Sequence, residues 1–577
     1  MQRTEGDARD SSNFGGRAAR ITARRLFSCL LLVAASLFFF SPAASTQTQT
    51  TPPQRPATNA PASPSPSPPA RDAVQSFILS PQERRGKAIY LRGEGADGRE
   101  FTAVMGEIDV PASTLTCAGC HGVKGEGKTE GGVTAGNLTW QHLIKSYGHT
   151  HPSGRKHGPF DEASFARAVL HGTDPDGNAL LVAMPRYKLS PQDLADLVAY
   201  LKRVETDRDP GLTETSLRVG TLLPLAGPLA ESGQAMRDAM AAYFEEVNAR
   251  GGIYSRKIEL RSAQGGTDAA TTAAALKRLL TDEAVFALVG GMTAGADAEV
   301  ASLVAAEEVP FVGPATLLPH ASAPPNRQVF YVLPGVREQA RALVNFAAAR
   351  PGLKQANAAV LYSPGEINLA AASGIEEQAK RAGWGSVVKT TFEPGKSDAA
   401  QAVAALKAQN VGALFVAAPG AEKALLQEAE RAGWTPHVFL VGVLAGRDFT
   451  PDSVTAAFKD KIFLGFPSVP ADVTPAALAE FRALSAKYKL PARHVASQLS
   501  AYAAAKIFVE GLQRAGRDLS REKLITALEG LYQFETGVTP RVTFGPNRRV
   551  GANGAHIVLI DTDKKQYVSA GQWVAAD

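Results

Sequence analysis

Two cysteines and a histidine stand together in the sequence, as Cys117-Ala118-Gly119-Cys120-His121. This is the spacing that attaches a c-type haem, because each thiol adds to one vinyl group while the adjacent imidazole ligates the iron. A disulfide would leave the histidine unexplained. A four-thiolate zinc site would need a second cysteine pair, which the sequence lacks. The motif therefore predicts one covalently attached haem c.

Helical patterns lie on both sides of this motif. Ser80 is a candidate N-cap with Pro81 in the first turn of the segment PQERRGKAIYLRG. Further on, LSPQDLADLVAYLKRV carries leucines at helical spacing, and Ser190 and Asp193 are placed to cap its start. The haem motif is thus expected among helices.

Residues 73–205 resemble the single-haem class I cytochrome c domain. The resemblance rests on an N-terminal helix, the CAGCH motif and Ala183-Met184-Pro185 ahead of a C-terminal helix. It implies an all-α domain that transfers electrons, with His121 and Met184 as the axial ligands of the iron. A thioether ligand favours ferrous iron and raises the potential, which suits one-electron transfer.

Other side chains compete with Met184 for the iron. Met105 precedes the haem motif, which is the wrong side for this fold, and a methionine in a loop is usually a packing residue. Several histidines also follow the motif, and because they cluster with Arg155 and Lys156 we expect them in a solvated loop. These histidines are His142, His149, His151, His157 and His171.

A second domain is expected from 217 to 577, after a polar linker at 206–216 that contains Pro210-Gly211. Short apolar runs such as SLRVGTLLP and ALFVAA alternate there with helical patterns such as AMRDAMAAYFEEVNARGG. Such alternation indicates parallel sheets with crossover helices. Two successive runs of it indicate two lobes, so the predicted fold class is an all-α cytochrome followed by a two-lobed α/β domain.

This half resembles the leucine/isoleucine/valine-binding proteins, which are type 1 periplasmic binding proteins. The matching passages are VGTLLPLAGPLAESGQAMRDA, NARGGIYSRKIEL, LVGGMTAGAD, VPFVGPATLLPHAS and SAYAAAKIFVEGLQRAG. The resemblance implies a small organic solute held between the lobes, under a loop at 225–233. It also implies the ligand-binding residues Met292, Thr293, Ala294, Ala315 and Thr316.

The chemistry of those residues indicates which end of a solute they bind. Threonine hydroxyls and backbone N–H groups at helix starts suit a carboxylate, although ordinary turn hydrogen bonds explain Thr293 and Thr316 equally well. Where amino-acid binders place an acid for the ligand ammonium, this chain has Leu444 and Ala445. We therefore expect a carboxylate or a neutral small molecule to bind better than a branched-chain amino acid. Glu366 or Asp448 would restore the missing charge if the loop is shifted.

The N-terminus is predicted to direct export. Arginines precede an apolar run from Leu26 to Phe40, and Ala43-Ala44-Ser45 follows. That run is about 15 residues, short of the roughly 20 that a bilayer requires. Residues 1–45 are thus interpreted as a signal peptide leading to the bacterial periplasm, with an uncleaved anchor as the minor alternative. The Pro/Ser/Thr-rich residues 46–72 are expected to form a disordered linker.

The balanced composition limits the function classes. With a net charge of +5 and 20% charged residues, the chain is not expected to bind nucleic acid. Our main hypothesis is a periplasmic electron carrier, with a redox partner protein, fused to a solute-binding domain. The alternative is the substrate-binding component of a branched-chain-amino-acid-type ABC importer, with a permease as partner and the cytochrome as accessory. An enzyme is not favoured, because the second domain shows no cofactor motif and a six-coordinate haem has no open site.

Overall fold

The computed structural model describes residues 79–265, 268–293, 295–319 and 325–577. The predicted signal peptide and disordered linker, at 1–45 and 46–72, lie outside these residues. The chain divides into two compact units between Pro210 and Gly211. Within the described part of the chain, no helix has the combination of length and apolarity needed to cross a membrane.

The first unit is mainly helical. Its helices are α1 Pro81–Arg92, α2 Cys117–His121, α3 Trp140–Leu143, α4 Glu162–His171 and α5 Pro191–Leu201. Reciprocal caps fix where the outer helices begin: the Ser80 hydroxyl accepts from the Glu83 N–H, and the Glu83 carboxylate accepts from the Ser80 N–H. Helices α1 and α5 pack together around the buried Tyr90 and Tyr200, whose rings are 5.7 Å apart.

Short strands, which the sequence patterns did not predict, surround these helices. They are β1 Thr102–Met105, β2 Ile108–Pro111, β3 Lys128–Glu130, β4 Val133–Ala135, β5 His149–Thr150, β6 Lys156–His157 and β7 Arg186–Tyr187. They form an antiparallel sheet of order β2-β1-β7 and the hairpins β3-β4 and β5-β6. Because β7 directly follows Met184, its pairing with β1 fixes the end of the loop that carries this methionine.

The second unit begins with a lobe built on a five-stranded parallel sheet of order β12-β11-β10-β8-β9. Its strands are β8 Ser216–Leu223, β9 Lys257–Gln264, β10 Ala287–Val289, β11 Phe311–Val312 and β12 Val329–Phe330. Its helices are α6 Ala230–Ala249, α7 Ala269–Thr281, α8 Asp297–Ala306 and, later in the chain, α13 Pro475–Tyr488, α14 Val495–Ala515 and α15 Arg521–Glu529. Apolar side chains of α6 and α14 fill the core on one face.

The second lobe has a mixed sheet of order β14-β13-β15-β16-β17-β18-β19, with β20 paired to β18. Its strands are β13 Asn357–Tyr362, β14 Val387–Thr391, β15 Val411–Ala417, β16 His437–Val441, β17 Ile462–Phe466, β18 Gly554–Asp561, β19 Gln566–Ser569 and β20 Val574–Ala575. Its helices are α9 Val336–Ala348, α10 Glu366–Arg381, α11 Ala399–Ala408 and α12 Glu422–Arg431. The strands up to β17 are parallel, and β18 is antiparallel to β17.

The chain passes between the two lobes three times. It crosses after β12, returns to the first lobe after β17 and crosses again before β18, because α13, α14 and α15 belong to the first lobe. Three crossing segments let two rigid lobes close on each other while the segments absorb the change in backbone angles. The carboxyl ends of the parallel strands in both sheets face the space between the lobes, where ligands of open α/β sheets bind.

Candidate functional site

A cavity of about 910 Å³ in the first unit brings together the residues predicted to hold haem. Cys117, Cys120, His121 and Met184 all line it. Neither cysteine is in a disulfide, so both thiols are available for attachment of haem. The cavity therefore places both attachment points and both predicted axial ligands around one space.

The orientation of His121 suits an iron ligand. The ring is buried, and its Nδ1 lies 2.7 Å from the carbonyl oxygen of Gly136. A carbonyl can only accept, so Nδ1 donates and Nε2 keeps its lone pair. Burial also lowers the pKa of His121, which keeps the ring neutral. A backbone acceptor behind the ring is the usual support of a metal-bound histidine, so these residues fit a haem iron.

Arg186 holds the loop that carries Met184. Its guanidinium donates to the carbonyl oxygens of Met184 and Leu180 and lies against Gly172, the residue that ends α4. Gly172 has φ +72°, a left-handed backbone angle that glycine adopts without strain. The guanidinium thus fixes the loop from behind while the methionine side chain faces the cavity.

The histidines do not form the solvated loop that the sequence predicted. His142, His149, His151 and His157 line the haem cavity and stack on one another, with ring centroids 4.5 to 5.1 Å apart. Asp174, whose side chain is fully buried, pairs with Arg155 at 2.5 Å and so draws the hairpin β5-β6 inward. His171, in contrast, is exposed as expected. The described residues contain no group of three or more His, Cys, Asp or Glu side chains that could hold a metal ion.

A second cavity, of about 580 Å³, lies between the lobes of the second unit. Leucine, valine, methionine, proline and phenylalanine side chains form most of its wall. The size and apolar character are those of small-molecule sites. Met292, Ala315 and Thr316 line it from the first lobe, while Glu366 and Leu444 line it from the second.

Family comparisons identify both units. The model of the family described as "Periplasmic binding protein" matches residues 216–565, which is more than half of the chain. The chain belongs to the periplasmic binding protein family. The model described as "Cytochrome c" matches residues 112–205. The predicted pairing of a cytochrome c domain with a two-lobed α/β binding domain is thus confirmed, and the cytochrome c domain implies covalently bound haem.

Relatives of the periplasmic binding protein domain are named for branched-chain amino acids. The chain is 24% identical to the Leu/Ile/Val-binding protein BraC3 of Rhizobium johnstonii over 336 residues, covering 58% of this chain and 89% of that protein. It is 26% identical to Leu/Ile/Val-binding protein homolog 7 of Brucella abortus over 313 residues, covering 52% and 77%.

The chain is also similar to solved structures of transport proteins. A putative branched-chain amino acid ABC transporter from Rhodospirillum rubrum has a TM-score of 0.49 at 20% identity, covering 62% of this chain and 99% of that one. A fatty acid ABC transporter substrate-binding protein from Thermomonospora curvata has a TM-score of 0.47 at 21% identity, covering 64% and 95%.

Only some of the residues predicted to bind the solute line the cavity between the lobes. Met292, Ala315 and Thr316 reach the cavity of the periplasmic binding protein domain, but Ala294 lies outside the described residues. Thr293 is only 1% exposed and does not line the cavity, because its hydroxyl turns away to donate to Asp297 at 2.5 Å. The loop at 225–233 contributes Leu229 to the wall.

The backbone N–H groups expected to receive a carboxylate are also engaged. The Met292 N–H donates to Leu222 and the Ala315 N–H to Gly291, both at 2.7 Å, because the sheet continues past the strand ends. Asp297 was missed by the sequence reasoning. The available signal was its position in the first turn of α8, only four residues after Thr293, close enough along the chain for its carboxylate to accept from that hydroxyl.

Proposed function

We propose that this protein is a periplasmic electron-transfer protein with one haem c in residues 73–205, fused to a domain at 217–577 that captures a small organic solute. The observation that carries the haem half is the single cavity lined by Cys117, Cys120, His121 and Met184. When bound, haem supplies the capacity to take up and release one electron. The thiols would hold it covalently, and His121, kept in one tautomer by Gly136, would ligate its iron with Met184.

Two buried tyrosines support the backbone on either side of the haem motif. Tyr90 and Tyr187 line the cavity, and their hydroxyls donate to the carbonyls of Gly122 and Leu115, each at 2.6 Å. Both hydroxyls are thereby held by the backbone beside the haem motif. With His121 and Met184 both as ligands, the iron would have no open site for a substrate, so we propose a redox partner protein rather than a bound substrate.

The haem proposal is tested on the full chain expressed with haem-maturation machinery in a bacterial periplasm. We expect the mass of one haem on the intact protein after acid denaturation, and none after the double substitution Cys117→Ser and Cys120→Ser. A denatured wild-type chain without haem mass, or with the mass of two haems, would contradict the proposal. The same preparation shows whether the mature chain begins after residue 45.

The second candidate function is the substrate-binding component of an ABC importer, with the cytochrome domain as an accessory. It is favoured by membership of the periplasmic binding protein family and by the similarity to Leu/Ile/Val-binding proteins. The haem-free double cysteine variant separates the two functions. In a strain that lacks the native gene, restored solute uptake by this variant would favour import, whereas failure by the variant and success by the wild type would favour redox service.

A further inference from the structure

The described residues that line the cavity between the lobes include acids but no bases. Asp297 from the first lobe and Glu366 from the second both line it. Among the described residues, none of those lining the cavity is Lys, Arg or His. A solute carboxylate would therefore meet two negative charges with no cation to offset them, inside a wall that is mostly apolar.

The carboxylate of Asp297 lies beside the residues that the resemblance implied would bind a solute carboxylate. The hydroxyl of Thr293, one of the two predicted carboxylate donors, donates to Asp297, while the hydroxyl of Thr316 accepts from the Leu318 N–H beside the same cavity. The nearby N–H groups of Met292 and Ala315 are used by the sheet. The Thr293 hydroxyl and both N–H groups are therefore already used, so a solute carboxylate meets only the Thr316 hydroxyl among these predicted donors.

Glu366 faces this carboxylate from the other lobe. It stands at the start of α10, directly after the turn that follows β13, and its charge helps to raise the pKa of Asp297, although burial is the larger cause. Closure of the lobes brings two like charges into a less hydrated space, which is unfavourable unless a cation enters between them. The remaining polar side chains in the wall are neutral, among them Asn368, Ser468 and Thr539.

We propose that the solute is an apolar organic amine without a carboxylate, whose ammonium lies between Asp297 and Glu366 while its hydrocarbon part contacts the apolar wall. This inference rests on the proposed capture of a solute by this domain and specifies its chemical class. It replaces the expectation of a carboxylate ligand, because the carboxylate of Asp297 lines the cavity and already accepts from the Thr293 hydroxyl predicted for that group. An ammonium can donate to both acids at once, so it joins the two lobes in the closed state.

Four compounds that share one aromatic group test the charge requirement. Isothermal titration of the full-length haem-loaded protein at pH 7 compares 2-phenylethylamine, 2-phenylethanol, 3-phenylpropanoate and phenylalanine. We expect 2-phenylethylamine to bind at least tenfold more tightly than each of the others. The Soret band is recorded in the same samples, and an unchanged band shows that the amine is not bound at the iron.

Neutral variants locate the amine. Glu366→Gln changes an exposed side chain and should weaken amine binding at least tenfold, as should Asp297→Asn. The matched control is Glu376→Gln on the same helix, whose partner is Lys389 outside the cavity, and it should bind as the wild type does.

Tighter binding of phenylpropanoate, phenylethanol or phenylalanine would overturn the inference and leave solute capture standing. Binding of the amine unaffected by Glu366→Gln would also overturn it, and absence of binding by all four compounds would overturn it together with the proposed capture of solute.

Discussion

At the scale of single residues, the predicted redox properties depend most on Met184. Met184→Ala should abolish the charge-transfer band between the methionine sulfur and ferric iron and lower the reduction potential, because a soft thioether ligand is lost. Absorption spectra of the oxidised protein and a redox titration measure both. Met105→Ala is the matched control: this methionine is 41% exposed and does not line the haem cavity, so both properties should stay unchanged.

Survival of that band in the Met184→Ala protein would show that the ligand assignment is wrong. The histidines would then be the next candidates. His149 and His157 line the same cavity, and a histidine replacing methionine as ligand would lower the potential of the wild-type protein itself. A low wild-type potential without the charge-transfer band would thus point to this cluster.

At the scale of elements, hydrogen bonds to Glu422 connect two loops of the second lobe. Its carboxylate accepts from the N–H groups of Gly420 at 2.8 Å and Gly446 at 3.0 Å, and so joins the loops that follow β15 and β16. The side chain is buried, and burial raises its pKa from 4.5 to about 7. Because the folded pKa lies above the unfolded one, the native state binds a proton that the unfolded state releases.

The stability of the periplasmic binding protein domain should therefore fall as the pH rises from about 4.5 to about 7. The loss is roughly 2–3 kcal/mol of unfolding free energy, on the scale of about 1.4 kcal/mol for each pKa unit. Urea denaturation at a series of pH values measures it. Glu422→Gln should remove most of this slope, although it also loses one hydrogen bond. Glu428→Gln, at a half-buried position on the same helix whose partner is Arg431, should keep the slope, and equal slopes in both variants would contradict the assignment to Glu422.

Substitution of two glycines tests whether the contact of Arg186 with the end of α4 positions the loop that carries Met184. Gly172→Ala forces a methyl group against the guanidinium of Arg186, which holds the carbonyls of Met184 and Leu180. Gly177→Ala has a similar backbone angle, φ +86° against +72°, but nothing lies near the added methyl group.

Both variants should therefore lose roughly 1 kcal/mol from backbone strain. Only Gly172→Ala should also weaken the charge-transfer band of the methionine, because Arg186 is displaced. Denaturant melts and absorption spectra of both proteins measure the two effects. An equal change of the band in both variants would show that Arg186 does not position the loop.

The whole molecule consists of two units that each have an apolar core of their own. We expect a fragment that starts at Glu214 to be soluble and to unfold cooperatively without haem, because its cores contain no residue of the first unit. Circular dichroism during heating measures this. The complementary fragment 73–210 should still attach haem. Aggregation of the Glu214 fragment under conditions where the full chain folds would contradict independent folding.

The sequence by itself determined the features that depend on local spacing. Cys117, Cys120 and His121 are neighbours along the chain, so attachment of haem to them can be predicted without knowing the fold. Helix starts such as Ser80 and Ser190 were predictable because a cap and its partner lie three residues apart. The alternation of strands and helices likewise indicated the two-lobed α/β domain before any contact was known.

Only the tertiary structure decided which side chains meet across long separations. The histidines appeared polar and solvated in sequence, yet the ion pair of Arg155 with the buried Asp174 holds their hairpin against the haem cavity. Asp297 and Glu366 are 69 positions apart in the printed sequence and come together only because two lobes share one cavity. The hydroxyl of Thr293 shows the physical reason: a hydrogen-bond donor is committed by whichever acceptor the fold brings within reach, and that acceptor was the carboxylate of Asp297.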